Sequence, residues 1–151
     1  MFKILVVCTA NICRSPAGQQ FLRQRLNGKD VIIESAGTLA LDGNPADATI
    51  REMMIERGHP EIEAHRSRAL MPSHLSQYDL VLCMERDHVE RVQRLSPYAS
   101  NKTRLFGQWD GQADVEDPIG RSSATYARAL DIMDSMADQW VDKMLMMGMV
   151  K

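Results

Sequence analysis

Short apolar runs alternate along the chain with longer segments that mix polar and apolar residues. The first run, FKILVVC over residues 2–8, is continuous and contains several β-branched residues, which is typical of a strand buried on both faces. Three later runs have the same character. We therefore predict four strands, over residues 2–8, 30–37, 78–84 and 102–107.

The segments that follow the first two runs carry signals for helices. Pro16 suits the first turn of a helix, and apolar positions continue that helix through Asn27. In the second segment Asn44 suits the N-cap, Pro45 the first helical position and Gly58 the stop. Both segments are therefore predicted to be helical.

Two further helices are predicted, over residues 85–96 and from Ser122 toward the C-terminus, with a polar loop at 110–120 before the last one. Strands separated by helices favour βαβ units and a parallel sheet with right-handed crossovers. The predicted fold class is therefore α/β: a single doubly wound domain, with a four-stranded parallel sheet and helices on both faces. Ligands of such folds bind beyond the carboxyl ends of the strands, which is where Cys8 ends the first strand.

The composition limits the partners and the compartment. A length of 151 residues fits one domain over 1–151, and a net charge of −2 argues against a bulk electrostatic hold on nucleic acid or an anionic membrane. The N-terminal apolar run is too short for a signal peptide, and no run approaches the roughly 20 apolar residues of a membrane span. Three cysteines form no disulfide framework. We therefore expect a reduced, cytoplasmic protein without membrane insertion.

The stretch VCTANICRSP, between the first strand and the first helix, carries the pattern C-x5-R-S. A tight loop that opens a helix leaves backbone N–H groups unpaired, and together with the helix dipole these groups form an anion site. The guanidinium of Arg14 adds a fork that matches two oxygens of a phosphate. We therefore predict a phosphate-binding loop made of Thr9, Ala10, Asn11, Ile12, Cys13, Arg14 and Ser15.

Cys8 lies at the floor of this loop. Helix N-termini and cationic neighbours favour the thiolate form of a cysteine, and Ser15 can donate a further hydrogen bond to the sulfur, so Cys8 is a candidate nucleophile. A lone cysteine at a strand end is more often a small core residue. Cys8 and Cys13 lack the close spacing of a zinc site, and we predict neither a metal nor a cofactor.

A phosphoryl transfer from an alcohol also needs a proton donor for the leaving oxygen. Asp117, in VEDPIG, is the best candidate, because its loop follows the fourth strand and so lies at the same sheet edge as Cys8. Pro118 favours an extended backbone at Asp117, although Asp-Pro is also a common turn starter. Asp114 and Glu116 remain alternative carboxylates.

With these motifs, the whole chain resembles the low-molecular-weight protein tyrosine phosphatases. ESAGT (34–38), YDLVLCME (78–85) and the late Asp-Pro match landmarks of that family in the right order, and residues 78–109 are especially similar to bacterial members. The resemblance implies hydrolysis of phosphotyrosine in a protein substrate through a phosphocysteine. Some bacterial members act opposite an autophosphorylating tyrosine kinase in capsule or exopolysaccharide export, which makes such a kinase a candidate partner.

The resemblance also implies the roles of the reacting groups. Cys8 would be the nucleophile, and Arg14 would bind the phosphate and the transition state. Ser15 would stabilise the Cys8 thiolate. Asp117 would protonate the leaving phenol and then deprotonate the water that hydrolyses the intermediate.

Further residues would support the loop. The resemblance implies a left-handed backbone at Asn11, which would hold the loop together with Ser35 and His65. It also implies that Cys13 can form a reversible disulfide with Cys8 and so protect it from over-oxidation. At Ile119 the chain departs from the family, whose members usually have an aromatic residue there that stacks on the phenol ring.

Two other functions stay open. An arsenate reductase on the same fold would need a relay pair of cysteines, and Glu90 stands where the partner of Cys83 would be. A phosphate-binding or phosphocysteine-carrying module would lack hydrolase activity altogether. Outside the motifs, Cys83 is expected in the core, and solvent exposure is expected for His59, His74 and His88.

Overall fold

In the computed structural model, which describes all 151 residues, four parallel strands form one sheet. The strands are β1 (Phe2–Cys8), β2 (Val31–Gly37), β3 (Leu80–Cys83) and β4 (Thr103–Leu105). Their order across the sheet is β2-β1-β3-β4, so the most apolar strand is paired on both sides. All four predicted strands are confirmed.

Five α-helices connect or follow the strands. They are α1 (Arg14–Arg25), α2 (Ala48–Glu56), α3 (Pro72–Leu75), α4 (Arg86–Leu95) and α5 (Ser123–Met146), with short 3-10 helices at Pro60–Ala64 and Pro97–Lys102. The four longer helices were predicted from their patterns. The other three were not, because segments this short carry no helical periodicity. None of the helices combines the length and the apolar character that crossing a bilayer requires.

Both faces of the sheet are covered. Ile4 and Val6 of β1 belong to a large apolar cluster with residues of α1 and α5. Leu5 and Val7, on the opposite face, belong to a smaller cluster with residues of α3 and α4. Burial of alternate residues on both faces explains why the β1 sequence is continuously apolar. The predicted doubly wound α/β class, with helices on both faces, is confirmed.

The predicted start of the second helix is wrong. The helix begins at Ala48, and Asp47 rather than Asn44 is its N-cap, with a side-chain oxygen that accepts the N–H of Ile50 at 3.2 Å. The backbone of Asn44 instead exchanges hydrogen bonds with Ser67, at 2.9 and 2.7 Å. These tertiary bonds hold the segment before Asp47 outside the helix, so the local capping signal at Asn44 is not used.

Two histidines expected at the surface are buried. His59 is 5% exposed and packs edge-on against Phe21, with ring centroids 5.1 Å apart. This burial lowers the pKa of His59. His88 is 1% exposed and lies at the carboxyl edge of the sheet. Neither residue stands out in sequence, because the partners that cover them come from distant segments.

Candidate active site

The loop between β1 and α1 is held from outside through its carbonyl groups. The carbonyl oxygens of Cys8, Thr9 and Ile12 accept the N–H groups of Thr38, Leu39 and Asp47 at 2.9, 2.9 and 2.7 Å. Gly37 allows this close approach, because a Cβ at that position would lie 2.4 Å from the Thr9 carbonyl oxygen. The ESAGT motif therefore serves to bring a second strand end against the loop.

The amide side of the same loop is unpaired. From Thr9 through Ser15, at the N-terminus of α1, no backbone N–H donates a hydrogen bond within the protein. Asn11, with φ of 57°, introduces the left-handed turn that makes successive amides face one concavity. Since unpaired buried donors are costly, the loop is built for a ligand with several acceptor oxygens.

Asn11 organises the floor of the loop through its side chain. Its Oδ1 accepts the N–H of Arg68 at 2.9 Å, which fixes the orientation of the amide. Its Nδ2 then donates to the hydroxyls of Ser15 and Ser35, at 2.7 and 3.0 Å. His65 Nε2 lies 2.7 Å from the Asn11 carbonyl oxygen. Asn11 therefore combines a left-handed backbone with direct contacts to both Ser35 and His65.

The Ser15 hydroxyl is directed at the Cys8 sulfur. The two atoms lie 2.9 Å apart and are buried. Because Ser15 Oγ already accepts from Asn11, its own hydrogen is free to point at the sulfur. The sulfur of Cys8 thus lies beside a hydroxyl donor, unpaired amides and a helix N-terminus, which are groups that stabilise negative charge.

Arg14 is 2% exposed and is anchored at one end only. Its Nη1 donates to Glu85 Oε2 at 2.6 Å and to the Val115 carbonyl at 2.7 Å. Its Nη2 has a long contact of 3.4 Å to Thr9 Oγ1, and its Nε donates no hydrogen bond within the protein. The Nε–Nη2 edge therefore remains available for two oxygens of one ligand.

Glu85 and His88 belong to this site, and sequence reasoning proposed neither as a site residue. Glu85 directly precedes α4 and pairs with Arg14. The ring of His88, one turn into α4, lies 2.8 Å from Thr9 Oγ1 through Nε2. The available signal was their position just past the third strand, at the same sheet edge as Cys8.

The other two cysteines are buried thiols. Burial, the charge of Cys8 and the charge of Asp117 raise the pKa of Cys13 well above its usual range. Burial within β3, with a smaller effect of Cys8, also raises the pKa of Cys83. All three cysteines are free. A fully buried, protonated Cys83 is unsuited to the thiol relay that an arsenate reductase requires.

The carboxylates of the polar loop differ in their partners. Asp114 Oδ1 accepts the N–H of Arg86 at 3.0 Å, and Glu116 pairs with Arg121 at 3.8 Å on the surface. Asp117 is exposed and accepts only the N–H of Ile119, at 3.1 Å. Since its charge also acts on Cys13, Asp117 is the carboxylate that combines proximity to the loop with freedom from other partners.

Exposed apolar side chains lie next to this site. Leu39, whose N–H bonds the Thr9 carbonyl, and nearby Leu41 are exposed on one side, and Ile119 is exposed on the loop that carries Asp117.

Nowhere in the protein do three histidine, cysteine or carboxylate side chains lie close enough together to share a metal ion.

Comparisons with known proteins agree with this geometry. The sequence model described as low molecular weight phosphotyrosine protein phosphatase matches residues 3–147. The low molecular weight protein-tyrosine-phosphatase Etp of Escherichia coli K12 is 38% identical over 141 residues, which is 93% of each chain. Vibrio vulnificus Wzb, solved in complex with benzylphosphonate, has a TM-score of 0.89 and 41% identity over 94% of this chain and 98% of its own. The YwlE arginine phosphatase of Geobacillus stearothermophilus has a TM-score of 0.89 and 30% identity, over 99% of this chain and 96% of its own.

Proposed function

This chain belongs to the low molecular weight phosphotyrosine protein phosphatase family, and on that premise we propose that its Cys8 is the nucleophile of phosphotyrosine hydrolysis. The observation that carries the assignment is the run of unpaired backbone N–H groups from Thr9 to Ser15. These amides and the free edge of Arg14 provide donors for the non-bridging oxygens of a phosphate monoester. Such donors, fixed before the reaction, stabilise the charge of the transition state.

In the first step the Cys8 thiolate attacks phosphorus. The S–P bond forms while the bond from phosphorus to the aryl oxygen breaks, and Asp117 gives its proton to the departing oxygen. The products are a phosphocysteine, the free phenol and the Asp117 carboxylate. Asp117 is suited to this role because its side chain is exposed and has no strong ion pair.

In the second step water hydrolyses the phosphocysteine. Asp117 accepts a proton from the attacking water, the new P–O bond forms, and the S–P bond breaks to release inorganic phosphate. The sulfur leaves as a thiolate, which the Ser15 hydroxyl at 2.9 Å stabilises. The enzyme then returns to its starting protonation state.

The substrate we propose is a phosphotyrosine side chain of a protein. Wzb of Vibrio vulnificus was solved with benzylphosphonate, in which a benzyl group carries the phosphonate. This ligand supports an aryl phosphate as the substrate of the present chain. As the protein partner we propose an autophosphorylated tyrosine kinase of capsule or exopolysaccharide export, acting in the cytoplasm. Ile119 would supply apolar contact to the ring.

The decisive experiment compares the wild type with Cys8→Ser on phosphotyrosine, phosphoserine, phosphoarginine and arsenate. We expect wild-type turnover of phosphotyrosine far above the other three, and a turnover sample quenched in acid to carry phosphate on Cys8. Cys8→Ser should lose at least ~10⁴-fold in kcat yet still bind inorganic phosphate in a calorimetric titration. Cys83→Ala, which removes a thiol in β3 outside the loop, is the matched control and should keep its activity.

Other outcomes would exclude the assignment. Turnover that survives Cys8→Ser would place the nucleophile elsewhere. Faster hydrolysis of phosphoarginine than of phosphotyrosine would align the chain with the similar arginine phosphatase, and thiol-dependent arsenate turnover would favour the reductase.

A further inference from the structure

His88 has a defined tautomer in this structure. The backbone N–H of Glu85 donates to His88 Nδ1 at 3.1 Å, so Nδ1 must be the acceptor nitrogen. The proton of the neutral ring is then on Nε2, which lies 2.8 Å from Thr9 Oγ1. His88 therefore donates to the Thr9 hydroxyl, and its ring cannot accept from it.

The hydroxyl of Thr9 receives a second donor from Arg14. Nη2 of Arg14 lies 3.4 Å from Thr9 Oγ1 and, like the His88 Nε2–H, can only donate. Both contacts use lone pairs of the oxygen, so the hydroxyl hydrogen must point elsewhere. Nη2 belongs to the guanidinium edge that remains open for a ligand, and so the hydroxyl is placed beside that ligand.

We propose that the Thr9 hydroxyl donates a hydrogen bond to a phosphoryl oxygen of the substrate, and that His88 is the positioning residue that turns it there. This inference rests on the proposed function, because the acceptor is the phosphate held by the loop. The Thr9 hydroxyl would add a side-chain donor to the backbone amides and Arg14. This role explains why His88 is buried next to Thr9.

The neutral state of His88 is supported by its surroundings. Burial and the nearby Arg14 lower its pKa, against the opposing effects of Glu85, Asp87 and Asp114. A doubly protonated ring would turn a second N–H toward the Glu85 amide and break the arrangement. The same ring therefore stays a single donor and a single acceptor under neutral conditions.

The first test removes and restores the hydroxyl. Thr9→Val keeps the shape of the side chain but loses the donor, and kcat/KM for phenyl phosphate should fall by about tenfold or more. Thr9→Ser keeps a hydroxyl and should stay within about threefold of the wild type. Inhibition by vanadate, which resembles the five-coordinate transition state, should weaken in Thr9→Val by the same factor as kcat/KM.

The second test separates positioning from helix capping. His88→Gln can retain a donor near the position of Nε2, whereas His88→Asn can retain the acceptor for the Glu85 N–H and loses the donor to Thr9. The proposal predicts that Gln keeps more kcat/KM than Asn. A purely structural role in starting α4 predicts the reverse order. In the Thr9→Val background, His88→Asn should cause no further loss, since it acts through the hydroxyl.

The results distinguish this inference from the proposed function. If wild-type turnover proceeds through phosphocysteine but Thr9→Val matches the wild type, the hydroxyl is no donor and the inference is wrong. The inference is also wrong if His88→Asn outperforms His88→Gln. If the wild type forms no phosphocysteine at all, the proposed function itself has failed. Thermal melting of each variant identifies losses that come from unfolding.

Discussion

The two loops that make the candidate site are built in opposite ways. The phosphate loop around Asn11 is largely buried, and its carbonyls and side chains are bonded to three separate segments, at residues 35–39, 47 and 65–68. The loop around Asp117 is anchored at Val115, whose backbone bonds Met84 and Arg14, but its next residues are mostly exposed. Asp117 itself bonds only the backbone two residues on.

This difference follows from the two tasks. Binding a dianion requires many donors at fixed positions, because donors that had to reorganise during the reaction would stabilise the transition state less. A proton donor needs one atom within reach of the leaving oxygen, and it must also admit the substrate and then water. Loops with few buried contacts open at low cost in free energy, so the exposed loop suits the acid.

Among the substitutions that compare the two loops, we expect the largest effect in the phosphate loop. Arg14→Lys keeps the charge but loses the planar fork, and kcat/KM for phenyl phosphate should fall by roughly 10²–10³-fold. Arg23→Lys is the matched control, since Arg23 donates to the Ile33 carbonyl outside the site. A loss of only a few fold in Arg14→Lys would mean that the fork does not hold the phosphate.

The next effect tests the exposed loop. Asp117→Asn should lower kcat/KM for phenyl phosphate by about 10²-fold or more, because the poor leaving group needs a proton. An ester with a strongly acidic phenol, such as 2,4-dinitrophenyl phosphate, should be slowed far less. Asp114→Asn and Glu116→Gln serve as controls. Equal slowing of both esters by Asp117→Asn would assign the acid to another residue.

The free energy of unfolding should also depend more on the phosphate loop than on the loop around Asp117. Asn11→Ala removes several buried hydrogen bonds and leaves a residue with positive φ, so the free energy of unfolding should fall by about 2–4 kcal/mol. Asp117→Ala should change it by less than about 0.5 kcal/mol, as expected for an exposed side chain. Urea unfolding measures both. Equal destabilisation by the two substitutions would contradict the comparison.

The free energy of unfolding should fall at acidic pH because of His65, which contacts the phosphate loop at Asn11. Burial, chiefly, lowers the pKa of His65 below its ordinary value of about 6.5, so at acidic pH the unfolded chain binds more protons than the folded one. The stability contribution is therefore complete above pH ~6.5 and is lost as the pH falls toward the folded-state pKa. Relative to His65→Gln, the wild type should lose at most about 1.4 kcal/mol per pH unit in that window. Parallel pH profiles of the two proteins would show that His65 does not titrate in this way.

We expect the smallest effect at Ile119, one of the exposed apolar residues beside the site. Ile119→Tyr introduces an aromatic residue after Asp-Pro and should raise kcat/KM for aryl phosphates by about 2- to 10-fold, the value of one aromatic contact. Ile132→Tyr on α5 is the matched control, because Ile119 and Ile132 are each 39% exposed. If both substitutions act alike, residue 119 does not contact the ring of the substrate.

Much of this protein was predictable from local patterns. The apolar runs predicted all four strands, and the C-x5-R-S spacing predicted the strand–loop–helix that places Cys8, Arg14 and Ser15 together. Such features depend on neighbours within a few residues, so the sequence by itself determines them. The same is true of the sheet edge to which Asp117 belongs, because parallel strands end on one side.

Tertiary structure alone decided which distant groups complete the site. Arg14 pairs with Glu85 across 71 residues, and the Asn11 amide is oriented by a backbone N–H 57 residues away. The burial of His88 against Thr9 and the choice of Asp47 as the cap of α2 also depend on segments far apart in the chain. A local pattern records how a residue suits its own helix or strand, whereas these bonds exist only once the sheet has brought its strand ends together.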